Sequence, residues 1–181
     1  MKKLLSALLA LTALFTFSIG ASAQTTSKQT LTNTQALKLA VDARTHFWSV
    51  MSGSDSKIKH KSGVVKTFTY KGMEYRYFSK EFDSKPKLVK YMNEAYTLNA
   101  IEKGFKKYHF ITYKGKLAQP NADFGSLLEW DKAKVKLLYQ RKDVRLYEFI
   151  VPYGKNQNSK QRVTFVKVGN KWQINDFDAV H

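Results

Sequence analysis

Three pairs of carboxylates stand two residues apart in this chain: Glu81/Asp83, Glu129/Asp131 and Asp176/Asp178. On an extended strand that spacing puts both acids on one face. An acid and a base flanking a sugar are what glycoside hydrolysis needs. Such pairs usually come from separate elements lining a deep cleft, whereas these adjoin turns or strand ends. They read as solvated turn acids, with a carboxylate wall hydrolase as one competing reading. The histidines, His46, His60, His109 and His181, are scattered, and the nearest approach to metal-ligand spacing is His181 after Asp178 at the C-terminus. His46 sits beside apolar aromatics in a helical pattern and reads as a partly buried structural histidine. There is no nucleophile elbow, phosphate-cradling glycine loop, His-Glu-x-x-His or Ca²⁺ loop. The chain has no cysteine, which excludes a thiol nucleophile, a thiolate metal site and a redox role. Neither metal nor cofactor is expected, and a binding protein is the reading that remains.

The contact candidate is a gap in the charge pattern. The sequence holds 31 Lys+Arg against 14 Asp+Glu, yet no basic residue occurs from Leu117 to Asp131. This window contains Gln119, Pro120, Asn121, Ala122, Asp123, Phe124, Gly125 and Ser126, then the apolar Leu127, Leu128 and Trp130. Pro120, Asn121 and Gly125 are expected to fix a loop shape, and a loop held by flanking strands binds with little ordering cost. Asp123 offers a carboxylate to donors on a partner, and Gly125 allows close backbone approach. An ordinary connection, with its apolar end returning to the core, explains the residues equally well. The 10 Tyr, 12 Phe and 3 Trp are assigned mainly to core packing and cross-strand pairs. The tyrosine-rich YKGMEYRYF is the one stretch suited to stacking on sugar rings.

The elements that must position this window follow from periodicity. Asn33 or Thr34 caps a helix to about Met51, carrying Leu37, Ala40, Val41, Phe47 and Trp48 at helical spacing. Strands Val64–Tyr70 and Met73–Phe78 flank a Lys71-Gly72 turn. Asp83 or Ser84 caps a second helix with Pro86 in its first turn, and Thr97 a third carrying Ile101 and Phe105. Phe110–Tyr113 and Lys116–Ala118 flank another Lys-Gly turn. Lys134–Gln140 pairs with Val144–Val151, Pro152–Gln161 reads as a polar loop, and Val163–Val168 pairs with Lys171–Asp176 across Gly169-Asn170. Tight turns mean antiparallel pairing. The expectation is an α+β fold, with N-terminal helices packed on a mainly antiparallel sheet.

Lys2 and Lys3, an apolar run from Leu4 to Ile19 and Ala21-Ser22-Ala23 form a secretory signal peptide, residues 1–23, with the mature single domain from Gln24 to His181. No lipobox cysteine or membrane span is expected. Removing Lys2 and Lys3 takes the formal net charge from +17 to +15. Such a surface suits either attraction to anionic cell-wall polymers and acidic partners or plain solubility, and charge alone does not separate the two. No nucleic-acid recognition signature is present. A secreted, wall-associated monomer is expected.

The run YRYFSKEFDSKPKLVKYMNEAYTLNAIE, from Tyr75 to Glu102, with GKLAQPNADFGSLLEW, FIVPYG and KWQI, resembles the IseA family of secreted inhibitors of cell-separating DL-endopeptidases. The resemblance implies a non-enzymatic, hacksaw-shaped α+β domain with a loop that enters the target's active-site cleft. It implies as targets NlpC-type catalytic domains, whose Cys-His dyad cuts the bond between D-glutamate and the diamino acid of the peptidoglycan stem. The loop is placed on Gln119 to Ser126, with Asp123, Phe124 and Gly125 inferred as its tip. The alternative is an NTF2-like or cystatin-like module with a small wall ligand in a pocket between helix and sheet.

Overall fold

Thr32 starts the first helix, one residue before the expected cap. Its hydroxyl accepts from the Gln35 amide while the Gln35 side chain accepts from the Thr32 amide, a reciprocal capping box. The computed structural model describes residues 30–58, 66–123 and 125–181. The leader, His60, Val64, Val65 and Phe124 lie outside the described residues. Helix α1 (Asn33–Ser52) buries Ala36, Ala40, Ala43, Phe47 and Val50, a stripe at helical spacing. It ends at Gly53, whose φ of 85° lets the chain turn back to the Ser49 and Val50 carbonyls.

Strands β1 (Thr67–Tyr70) and β2 (Met73–Tyr77) form the expected hairpin. Lys71 and Gly72 both have positive φ, the type I′ geometry that suits the twist of the flanking strands. Helices α2 (Lys85–Met92) and α3 (Leu98–Lys107) follow; the Thr97 hydroxyl caps α3 by accepting from Ala100. Ser84 precedes α2 without a side-chain cap bond, and Asp83 pairs with Lys87 instead. Strands β3 (Ile111–Tyr113) and β4 (Lys116–Pro120) close on Lys114-Gly115, again with positive φ at both residues.

After a 3-10 turn at Trp130–Lys132, four consecutive hairpin-linked strands complete the chain: β5 (Lys134–Arg141), β6 (Val144–Tyr153), β7 (Gln157–Val168) and β8 (Lys171–Ile174). Here the structure corrects the sequence reading. Pro152–Gln161 is not a polar loop: Pro152 pairs with Asn158, Tyr153 with Gln157, and only residues 154–156 turn. The proline carbonyl accepts from Glu129 on the side away from β7. A strand residue's N–H and C=O point the same way, so the missing N–H costs the β6–β7 ladder no bond.

The fold class is α+β; among the described residues there are three α-helices, and the strands form two antiparallel sheets where one was expected. The first runs β1-β2-β4-β3 and the second β5-β6-β7-β8. The helices precede only the second sheet in full, because α2 and α3 are inserted between the hairpins of the first. The second sheet buries Tyr147, Phe149, Val151, Val163 and Phe165 against α1 and Trp130. Its β8 edge is covered by Ala95–Thr97, which exchange backbone bonds of 2.9 Å with Ile174. Packed rings fill this space where the alternative module would need a pocket; Trp130 and Phe149, for example, lie 5.4 Å apart. The first sheet curls on itself. Phe68 and Tyr113 belong to its two outer strands, which a flat sheet would hold about 14 Å apart. Their rings nevertheless stack at 4.3 Å, over Tyr75. Among the described residues no helix is long and apolar enough to cross a membrane.

Candidate functional site

The window crosses from one sheet to the other, and both of its feet are pinned. At the β4 end the chain turns by the C-terminus of α1, where the last carbonyls lack helical partners. The Gln119 amide donates to the Met51 carbonyl at 3.2 Å, and the Arg76 guanidinium donates to the same oxygen at 2.6 Å. A cation at that end also complements the helix dipole. Gln119 is therefore 1% exposed and Pro120 completes β4. Gln119 forms a buried root for the loop, and Pro120 beside it is half-buried. The Asn121 amide then donates to the Glu74 carbonyl at 2.9 Å, and its side chain to the Glu74 carboxylate at 2.7 Å.

At the other foot, Leu128 bridges to Tyr153 and the Glu129 amide donates to the Pro152 carbonyl at 2.8 Å. Trp130 is buried beneath, 2% exposed. Between the feet, Asn121, Ala122, Asp123 and Gly125 are exposed and Ser126 is half-exposed. The Ala122 amide turns back to the Pro120 carbonyl at 3.1 Å. A hollow of about 210 Å³ beside the loop is lined by Trp48, Met51, Ser52, Arg76, Ala122 and Asp123. Burial lowers the pKa of the Arg76 guanidinium, and the Asp123 charge opposes that effect. The loop thus presents a carboxylate that feels a half-buried cation.

Two sequence expectations change. Gly125 was expected to help fix the loop shape, yet its φ is outside the left-handed region and an added Cβ would meet nothing within 4 Å. It leaves space without requiring glycine's backbone freedom. The ordinary-connection alternative has the whole apolar end returning to the core, but Leu127 is 80% exposed while Leu128 is half-buried and Trp130 buried. No signal in a Leu-Leu pair says which of the two faces solvent.

The catalytic candidates are held in local structure. Glu81 accepts from the Asp55 amide, Asp83 pairs with Lys87 at 2.7 Å, and Glu129 with Lys132 at 2.6 Å. Asp178 is held by Lys107 and Tyr108, and Asp176 accepts from the Asp178 amide. His46 donates from Nδ1 to the Asp42 carbonyl at 2.8 Å, its Nε2 lies 3.4 Å from Glu94, and its ring packs on Tyr91. Each of these groups is accounted for by a neighbour on the fold.

The model of the IseA DL-endopeptidase inhibitor family matches residues 27–179. The chain belongs to this family. A Bacillus subtilis (strain 168) protein described as uncharacterized protein YoeB is 42% identical over 181 residues, covering 99% of each chain. The IseA match spans both sheets and the pinned window together, so the loop belongs to the family domain and is not an appendage to it.

Proposed function

We propose that this chain inhibits DL-endopeptidases by inserting the loop between Asn121 and Leu127 into the target's catalytic cleft, so excluding the peptidoglycan stem. The observation that carries this reading is an exposed loop free of basic residues, anchored by backbone bonds at both ends. Such a loop loses little freedom on binding. The targets fitting this role are NlpC-type domains with a Cys-His dyad. Asp123 mimics a substrate carboxylate or pairs with the catalytic imidazolium, while Leu127 supplies exposed apolar area to bury against the target. Nothing needs to be cleaved, because occupancy suffices. Export by the signal peptide would deliver the protein to the wall, and its positive charge would retain it there. In that setting it would restrain autolysis and cell separation.

The test is inhibition of a purified NlpC-type endopeptidase by Asp123→Ala combined with Gly125→Trp. Gly125 tolerates a side chain without backbone strain, so the tryptophan probes fit in the cleft and leaves folding intact. Loss of inhibition with an unchanged melting temperature is expected. Full inhibition by the double variant would remove the loop from the mechanism.

A further inference from the structure

Away from the loop, α3, the β1–β2 turn and β3 enclose an open groove of about 560 Å³. Its floor is apolar, formed by Tyr75, Phe105 and Phe110. Lys71 and Lys106 make its rim cationic. Lys71, Lys106 and His109 are exposed along it, and the one carboxylate in the lining, Glu102, is matched by Lys85 at 2.9 Å. His109 stands at φ 51°, the left-handed position that ends α3, and so turns outward at the groove's margin. Lys71 lies in the left-handed turn of the opposite wall.

We propose that this groove binds a phosphodiester-linked polyol or sugar-phosphate chain. Three features select that occupant. The net charge, +17 for the full chain and +15 without Lys2 and Lys3, draws polyanions over long range. The rim carries lysine ammoniums, which serve phosphate as point charges. Two of the three floor rings are nearly covered, with Tyr75 6% and Phe105 7% exposed, and Phe110 is half-buried. They offer an apolar surface for polyol or sugar carbons, but not the open ring faces on which nucleic-acid bases stack. The groove shares no residue with the loop, so its occupancy does not depend on the inhibitor reading.

The experiment titrates the purified chain with a purified poly(glycerol phosphate) by calorimetry at low salt, comparing two double variants of equal net charge. Lys71→Glu with Lys106→Glu alters the groove; Lys142→Glu with Lys160→Glu alters exposed positions on the other sheet. The groove pair is expected to weaken binding by about tenfold or more, and the distant pair by less than about threefold. Lys71→Asn with Lys106→Gln, which removes charge but suits the turn, should give an intermediate loss even if the reversal perturbs folding. Inhibition of an endopeptidase on a soluble substrate should be unchanged in the groove variants. Equal losses from both reversed pairs would reduce the effect to diffuse charge and overturn the site. Equal affinity for poly-glutamate or single-stranded DNA would overturn the phosphodiester assignment, as would absence of binding by the unaltered chain.

Discussion

Leu127→Ala tests whether the exposed leucine is held in reserve for a target. The substitution removes three carbons, worth about 2.4 kcal/mol if all are buried at ~0.8 kcal/mol each. Leu127 is 80% exposed in the free chain, so complete burial on a target leaves roughly 2 kcal/mol to be gained. Losing it corresponds to an increase of about 30-fold in Ki. The free protein has little to lose, and its stability should stay within about 0.5 kcal/mol. The assay is a Ki measurement against a purified NlpC-type endopeptidase beside a thermal melt of the inhibitor alone. Leu98→Ala, at a leucine 57% exposed on α3, is the control and should leave Ki unchanged. A Leu127→Ala variant that inhibits normally shows the side chain still in water in the complex. A variant that melts early shows that it was packing against its own fold. Either result refutes that role for Leu127.

Asn121→Ala removes the 2.7 Å bond to Glu74; a loss of about 1 kcal/mol in loop ordering raises Ki about fivefold, measured in the same inhibition assay. Gly104→Ala places a Cβ 2.4 Å from the Phe177 ring, which is boxed in by Phe47, Tyr96 and Tyr108. Overpacking of about 1–3 kcal/mol outweighs a helix-propensity gain of about 1 kcal/mol, so the melting temperature should fall; a rise would refute the contact. Burial, then the bond to Asp178 and its charge, raise the Tyr108 pKa above its ordinary value of 10.0. The folded state holds that proton more tightly than the unfolded chain, so the stabilisation is complete below about pH 10 and is lost as pH rises beyond it. Urea midpoints should therefore fall less steeply above pH 10 in Tyr108→Phe, with Tyr96, also shifted upward by burial, supplying a residual slope.

What was legible in the sequence was local. Lys71-Gly72, Lys114-Gly115 and Gly169-Asn170 mark their turns because few residue types settle there. Thr97 caps α3 as its position implies, whereas Thr32 caps α1 ahead of Asn33 and Thr34 because the Gln35 side chain returns its bond. Pro152 suggested a loop because a proline's harm depends on which side its absent N–H would face, and pairing decides that. The division into two sheets hinges on β2 meeting β4 across two intervening helices, a long-range choice with no short-range mark. The window was found by its missing charges. Its limits were not, since Gln119 becomes a buried strut only once Met51 is folded beside it.

The curled sheet is an insertion in spatial terms. The chain leaves the α1 core after Ser52, builds the first aromatic hairpin, rejoins the core with α2 and α3, builds the second hairpin, and returns through the window. The outgoing and returning segments run side by side, with a Cβ at Gly53 falling 3.1 Å from the Gln119 amide. The returning segment is therefore a span between two fixed abutments. Lengthening such a span costs little, about 0.6 kcal/mol per doubling. Loop length and chemistry can then change while neither abutment has to be rebuilt.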